Sequence, residues 1–244
     1  MKPPQSNCAR RSPGRPRGGK PVIQEAELLS AALSAFARLG YHGTSLRSLN
    51  RELGVSHNLL TQQFGSKEAL WRAAVDWGFG RMQQSLTQAT EDSATENTGT
   101  GEATRTAEES GPTAALHRFI EAFVLQSARM PELLALVNAE GSQHSERLDY
   151  LLEHFGQPMF ARMQPIYAQA VAAGELREVP LETLFYLITA GGASLYSTPA
   201  LSTKLFGAES LAPDQVQSQA RSVADFLIAG LRSEAAPSDS TLKP

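Results

Sequence analysis

Between residues 44 and 70 the apolar positions change phase twice within a few residues. Leu46, Leu49 and Leu53 fall at i, i+3 and i+7, which lays one apolar stripe along a short helix over 44–53. Gly54 follows, where a helix ends and a left-handed residue costs least. Val55 can fill the corner, and Ser56 is a favourable N-cap for a second helix over 57–64. In that helix Leu59, Leu60 and Phe64 face inward, while His57, Asn58, Thr61 and Gln62 share the outer side. A short exposed helix with hydrogen-bonding groups and no acid is what reading the major groove of double-stranded DNA requires. The spacing is that of a helix-turn-helix, with residues 56–63 as the groove-reading segment.

On either side the periodicity stays helical. A helix over 24–39 buries Leu28, Ala32, Ala35, Phe36 and Leu39, and Gly40 stops it. Ser66 caps a further helix that runs past Trp71, Val75, Trp77 and Phe79 to end near Leu86. The tract 87–112 then breaks the pattern. Alanine is its sole aliphatic residue type, so burial cannot offset its ordering entropy, and it reads as a mobile surface loop. Beyond it, helices are expected over 113–129, 131–140, 146–173, 180–197 and 213–232, with Pro131, Pro180 and Pro213 each suited to a first turn. No strand alternation, hairpin signal or internal repeat competes. The expected fold class is all-α: a three-helix head over 22–70, a larger helical body over 71–234, and a disordered tail over 235–244.

Two stretches of the body carry more than periodicity. Ala190, Gly191, Gly192, Ala193 and Ser194 sit inside an apolar helical segment, where each glycine costs about 1 kcal/mol relative to alanine, so a close helix crossing is expected there. The last helix gathers Val216, Ala220, Val223, Ala224, Leu227, Ile228 and Leu231 on one side. That face suits either a homodimer contact or packing within one chain. A homodimer is favoured because one short recognition helix reads too few bases for useful specificity, which also predicts a palindromic operator.

The stretches AALSAFARLGYHGTSL, GVSHNLLTQQF and FGSKEAL together resemble the tetracycline-repressor (TetR) family of transcription regulators. The resemblance is strong over about the first eighty residues and is one of layout thereafter. It implies a DNA-binding head, pairing of the last two long helices with their twins in a four-helix dimer interface, and an effector pocket in the body. Two departures stand out. Thr61, Gln62 and Gln63 occupy the place of the family's tyrosine-rich run, which implies an altered sequence preference. Asn50 stands where a small alanine usually packs against the turn, which implies a different local packing.

Charge sharpens this picture. Residues 1–90 hold 12 Lys/Arg and 5 Asp/Glu, and residues 91–244 hold 10 and 20, so +7 and −10 make up the net charge of −3. A basic front and an acidic back direct the front alone towards a polyanion. Residues 1–21 contain six basic residues and no acid, and are expected to form a disordered arm. Within it, Gly14-Arg15-Pro16-Arg17 resembles an AT-hook. Glycine permits close approach, proline keeps the chain extended, and Arg15 and Arg17 suit the negative potential of a narrow minor groove. The plainer alternative is a polycationic tail. Thr44, Arg47 and Lys67 are expected phosphate contacts. Lys67 is the pointed case, because a cation just after the Ser66 cap opposes the helix dipole, and a phosphate there would reconcile the two.

The remaining features exclude more than they assign. The single cysteine, Cys8, rules out an intrachain disulfide and a cysteine-based metal cluster. No apolar run approaches the length of a membrane span and no signal-peptide core opens the chain, so a cytoplasmic protein with no membrane partner is expected. Asp149, Glu153 and His154 lie close together without a metal-ligand spacing, and no phosphate loop, dinucleotide fingerprint or nucleophile elbow occurs, so neither an enzyme nor a cofactor is expected. Phe119, Phe123, Tyr150, Met159, Met163 and Phe185 are dense enough in large soft side chains to line a site for an apolar small molecule, although core helices need such residues anyway. The reading that unites these features is a dimeric, effector-released repressor. The alternatives are an effector-independent architectural DNA-binding protein, and a helical enzyme or lipid-binding protein with a vestigial head.

Overall fold

The apolar stripe of the first helix organises the head, and the helix that follows the head carries it into the body. In the computed structural model, which describes residues 23–95, 111–207 and 211–232, the head comprises α1 (Glu25–Gly43), α2 (Leu46–Glu52) and α3 (Leu59–Phe64). The long α4 (Lys67–Thr95) connects it to the body. Leu28, Leu29, Ala32, Leu33, Ala35 and Phe36 of α1 are buried where α1 packs on α4 and α6, whereas Leu39, expected on the same stripe, is exposed. Gly40, at φ +71°, breaks α1 as expected, and a last short turn continues to Gly43.

The body follows as α5 (Pro112–Arg129), α6 (Pro131–Gly141), α7 (Glu146–Leu151), α8 (Gln157–Ala172), α9 (Leu181–Tyr186), α10 (Ser194–Ser197), α11 (Pro199–Phe206) and α12 (Pro213–Leu231). One wide π turn, Leu152–Gly156, joins α7 to α8, and another, Leu187–Gly191, follows α9. Among the described residues the β-type pairing is confined to one bridge, Leu176 with Arg232. No helix among them is long and apolar enough to cross a membrane.

Several expected boundaries are corrected. α4 stays helical to Thr95, so the opening of the expected 87–112 loop is helix. Thr87 and Thr90 hydroxyls donate back to the Gln83 and Leu86 carbonyls, and Arg118 of α5 donates to the Ala89 carbonyl, which together hold that end of the helix. Residues 96–110 lie outside the described residues. The single helix expected over 146–173 contains the first π turn. The one expected over 180–197 is divided at Gly191-Gly192-Ala193, and α11 was not foreseen. Pro180 stands at the N-cap of α9 and not in its first turn, whereas Pro131 and Pro213 do open their helices.

Close approach explains the small residues. A Cβ on Gly192 would lie 2.8 Å from the Ile188 carbonyl oxygen, 3.1 Å from Val223 of α12 and 3.3 Å from Val124 of α5. Gly78 of α4 plays the same part: its missing side chain leaves room for Leu33 of α1 and Leu133 of α6. The apolar face of α12 is used within the chain, where Ala220, Ala224, Ile228 and Leu231 are buried as α12 packs along α5. Of the two readings left open for that face, packing within one chain is the observed one. One contiguous apolar core runs from Leu49 and Leu60 in the head through Trp71 and Ala74 to Phe119, Met163 and Ile228 in the body.

Candidate nucleic-acid interface

α3 has six residues, too few to persist on its own helical propensity, so tertiary contacts must hold it. Leu60 is fully buried, and Leu59 and Phe64 pack against the same core. Gly54 and Gly65, at φ +65° and +79°, make the reversals before and after it. Outside this anchor, His57, Asn58, Thr61, Gln62 and Gln63 are all exposed. The four expected base-reading side chains are thus all exposed, and no acid stands in the chain from Leu53 to Lys67.

The start of the helix differs from the expected one. Ser56 is not its N-cap: the helix begins at Leu59, and His57 and Asn58 lie in the preceding turn. Asn58 occupies the cap position without a side-chain cap bond, and Ser56 contributes its carbonyl, which accepts from the Leu59 N–H at 3.1 Å. A residue of α2 takes over the side-chain cap. Asn50, only 1% exposed, accepts from the Leu60 N–H at 3.2 Å and donates from its amide nitrogen to the His57 carbonyl at 2.8 Å. By contrast, Ser66 does cap α4, accepting from the Ala69 N–H at 3.0 Å.

Two of the three expected phosphate contacts are engaged inside the protein. Thr44 is 2% exposed, and its hydroxyl donates to the Gly40 carbonyl at 2.9 Å, so it ties off α1 and cannot reach DNA without leaving that bond. The Lys67 ammonium donates to the Tyr41 and Thr44 carbonyls at 2.9 and 3.0 Å and sits 4.3 Å from the centre of the Tyr41 ring. These carbonyls belong to the C-terminal end of α1, where a cation is favoured. The conflict with the α4 dipole is thus answered by the end of another helix, with no phosphate needed to reconcile the two. Lys67→Met is expected to lower stability by about 1.5–3 kcal/mol, the range for hydrogen bonds to a charged group. It should leave the salt dependence of DNA binding unchanged, whereas a slope shallower by about one unit would reinstate a phosphate contact. Arg47 does remain exposed. Arg51, one turn further along α2 and passed over in the sequence, is exposed beside it at i+4.

The head meets the body around Tyr41. Arg147 of α7 lies 4.3 Å from the centre of the same ring that Lys67 covers, and Glu140 holds its guanidinium at 2.9 Å. Beside it, Tyr41, Glu68, Trp71, Arg72, Glu146, Arg147 and Tyr150 line a small cleft open to solvent. Tyr150 donates to Asp76 at 2.7 Å and stacks on His154. Burial, then the Asp76 bond and charge, push its hydroxyl up to about 12, so it stays a donor at neutral pH. Tyr150 therefore belongs to this seam, which corrects its expected place in a body pocket. Of the other expected ligand contacts, Phe119, Phe123 and Met163 are buried core residues, and Met159 and Phe185 pack against that core half-buried. Arg15 and Arg17, with the rest of the basic arm and Cys8, lie outside the described residues, as does the 235–244 tail.

Comparison with known proteins follows the same division. Residues 28–74 match the family model for bacterial regulatory proteins of the tetR family, and residues 112–227 match a tetracyclin repressor-like C-terminal domain. The HTH-type transcriptional regulator BetI of Vibrio vulnificus is 36% identical over 55 residues, 22% of this chain and 28% of that protein. The HTH-type transcriptional repressor AcnR of Corynebacterium efficiens is 34% identical over 71 residues, 29% of this chain and 38% of that protein. The chain thus spans less than two fifths of either curated relative's length. Among solved structures, the ketosteroid transcriptional regulator KstR2 of Mycobacterium tuberculosis superposes with a TM-score of 0.61 at 16% identity, covering 88% of this chain and 98% of that one. The TetR family transcriptional regulator PfmR from Thermus thermophilus gives 0.53 at 20% identity, covering 87% and 100%. At such identities these two likenesses speak for the fold alone. Head and body each match their own part of one family, and the chain belongs to the TetR family of transcriptional regulators.

Proposed function

We propose that the chain is a homodimeric repressor that binds a palindromic operator and is released from it by an apolar small molecule. The observation that carries the DNA-binding part is the exposure of His57, Asn58, Thr61 and Gln62 in an acid-free stretch anchored by the buried Leu60. α3 enters the major groove, and Arg47 and Arg51 on α2 meet the phosphates beside it. The basic arm, through Arg15 and Arg17, follows the adjacent minor groove. AcnR, a partial relative, is named a repressor, which supports the sign of the regulation.

The effector is assigned to the body core among Phe119, Phe123, Met159, Met163 and Phe185. These side chains now pack together, so a ligand that parts them favours a different body, and the Tyr41 seam passes that difference to the head. Selection of bound sequences from random DNA by the purified protein tests the reading. A palindromic consensus is expected, and Asn58→Ala or Gln62→Ala should weaken binding to it by about 1–3 kcal/mol, the discrimination of one bidentate base contact. Equal weakening on unrelated DNA would mean that these side chains do not read bases.

A further inference from the structure

We propose that Asn50 is a positioning residue for sequence recognition: from α2, its carboxamide fixes where α3 begins and how it is turned, and so which side chains face the bases. The inference rests on the DNA-binding reading above. The first N–H groups of a helix have no partner inside it, and α3 supplies no side-chain cap of its own. Asn50 supplies both halves of the missing contact, accepting from Leu60 at 3.2 Å and donating to His57 at 2.8 Å. A planar carboxamide with an acceptor at one end and a donor at the other defines rotation as well as position. Aspartate keeps the acceptor but lacks the donor, and alanine offers neither. Because Asn50 is 1% exposed, water has little access to take over either bond.

The leverage comes from the brevity of α3. An α-helix turns about 100° per residue, so a start displaced by one position swings Thr61 and Gln62 off the outer surface. Base reading depends on that direction, whereas attraction to phosphates does not. Loss of Asn50 should therefore degrade discrimination between sequences more than it degrades overall DNA affinity. Leu60 holds α3 down, and Asn50 sets its rotation.

The test uses the full chain and two duplexes, the sequence selected by the wild type and a scramble of the same composition. Asn50→Ala should cut the ratio of the two affinities about tenfold, the scale of one lost helix cap, with affinity for the scramble within about twofold of wild type. Asn50→Asp should recover part of the ratio. Hydrogen exchange should quicken over residues 56–64 in Asn50→Ala and stay unchanged over 112–129. An unchanged ratio, or equal losses on both duplexes, overturns the proposal. If Asn50→Ala fails to fold, Asn50→Asp decides alone: a lowered ratio supports the positioning role and a wild-type ratio overturns it. A wild-type protein that prefers neither duplex sinks both this proposal and the regulator reading, whereas an unaffected variant sinks this proposal only.

Discussion

Leu60→Ala is expected to remove sequence-specific DNA binding while the body stays folded. Leu60 is fully buried, and truncating such a side chain to alanine costs about 2–5 kcal/mol. α3 has little to set against that loss. It is one and a half turns long, with reversals at Gly54 and Gly65 on either side and only Leu59 and Phe64 as further apolar anchors. Undocking of the recognition helix is therefore the cheapest response to the cavity. Hydrogen exchange should become fast over residues 55–66 and remain slow in α5 and α12. Retained discrimination between operator and unrelated DNA, with α3 still protected, would show that the helix is held by something other than its core anchor.

Phe226→Asp is expected to convert the proposed dimer into folded monomers. Phe226 is 79% exposed on the side of α12 turned away from α5. Ser218, Ser222, Ala229 and Gly230 share its exposure at helical spacing, which allows a second helix to come close. Tyr186 and Leu187, on the helix segment that approaches α12 at Gly192, are exposed as well. A buried aromatic at the centre of an isologous contact typically contributes about 2–4 kcal/mol, and an aspartate facing its own twin would add repulsion. An exposed side chain contributes little to the fold of its own chain, so melting at high protein concentration should change mainly through lost association. Sedimentation equilibrium separates the outcomes: an undiminished dimer in Phe226→Asp would place the contact elsewhere.

The head was legible in the sequence because its signals are local. Leucines at helical spacing, glycines that permit positive φ, and the Ser66 cap each act within a few residues, and α1, α2 and the start of α4 formed close to where these signals put them. Polar partners distant in the chain were not legible. Lys67 finds carbonyls more than twenty positions back, and no local rule distinguishes that lysine from one awaiting a phosphate. Asn50 was visible as an oddity but not as a cap, because its bonds reach seven and ten residues ahead into a turn whose shape they help to set. Thr44 shows the opposite error: a hydroxyl that looked available is consumed by the carbonyls behind it. In the body, periodicity identified helices but not their interruptions, since a π turn keeps every residue in a helical conformation. The face of α12 expected to serve either a dimer or the monomer core serves the core, and hydrophobicity alone could not separate the two.

The wide turn at Leu152–Gly156 gives one rod two rotational settings. Upstream of it, Arg147 and Tyr150 are aimed at Tyr41, Arg72 and Asp76 at the head seam. Downstream, Met163, Tyr167 and Ala170 are aimed into the core beside α5. A π turn holds an extra residue per turn, so it shifts the phase of everything after it while leaving the axis unbroken. The angle between what the seam grips and what the core grips is thus written in chain length and not in side-chain chemistry. A single residue gained or lost between 152 and 156 would displace His154 and Phe155, which stack on Tyr150 and Phe79, and would re-aim the head against the body while Arg147, Tyr150, Met163, Tyr167 and Ala170 all keep their identity.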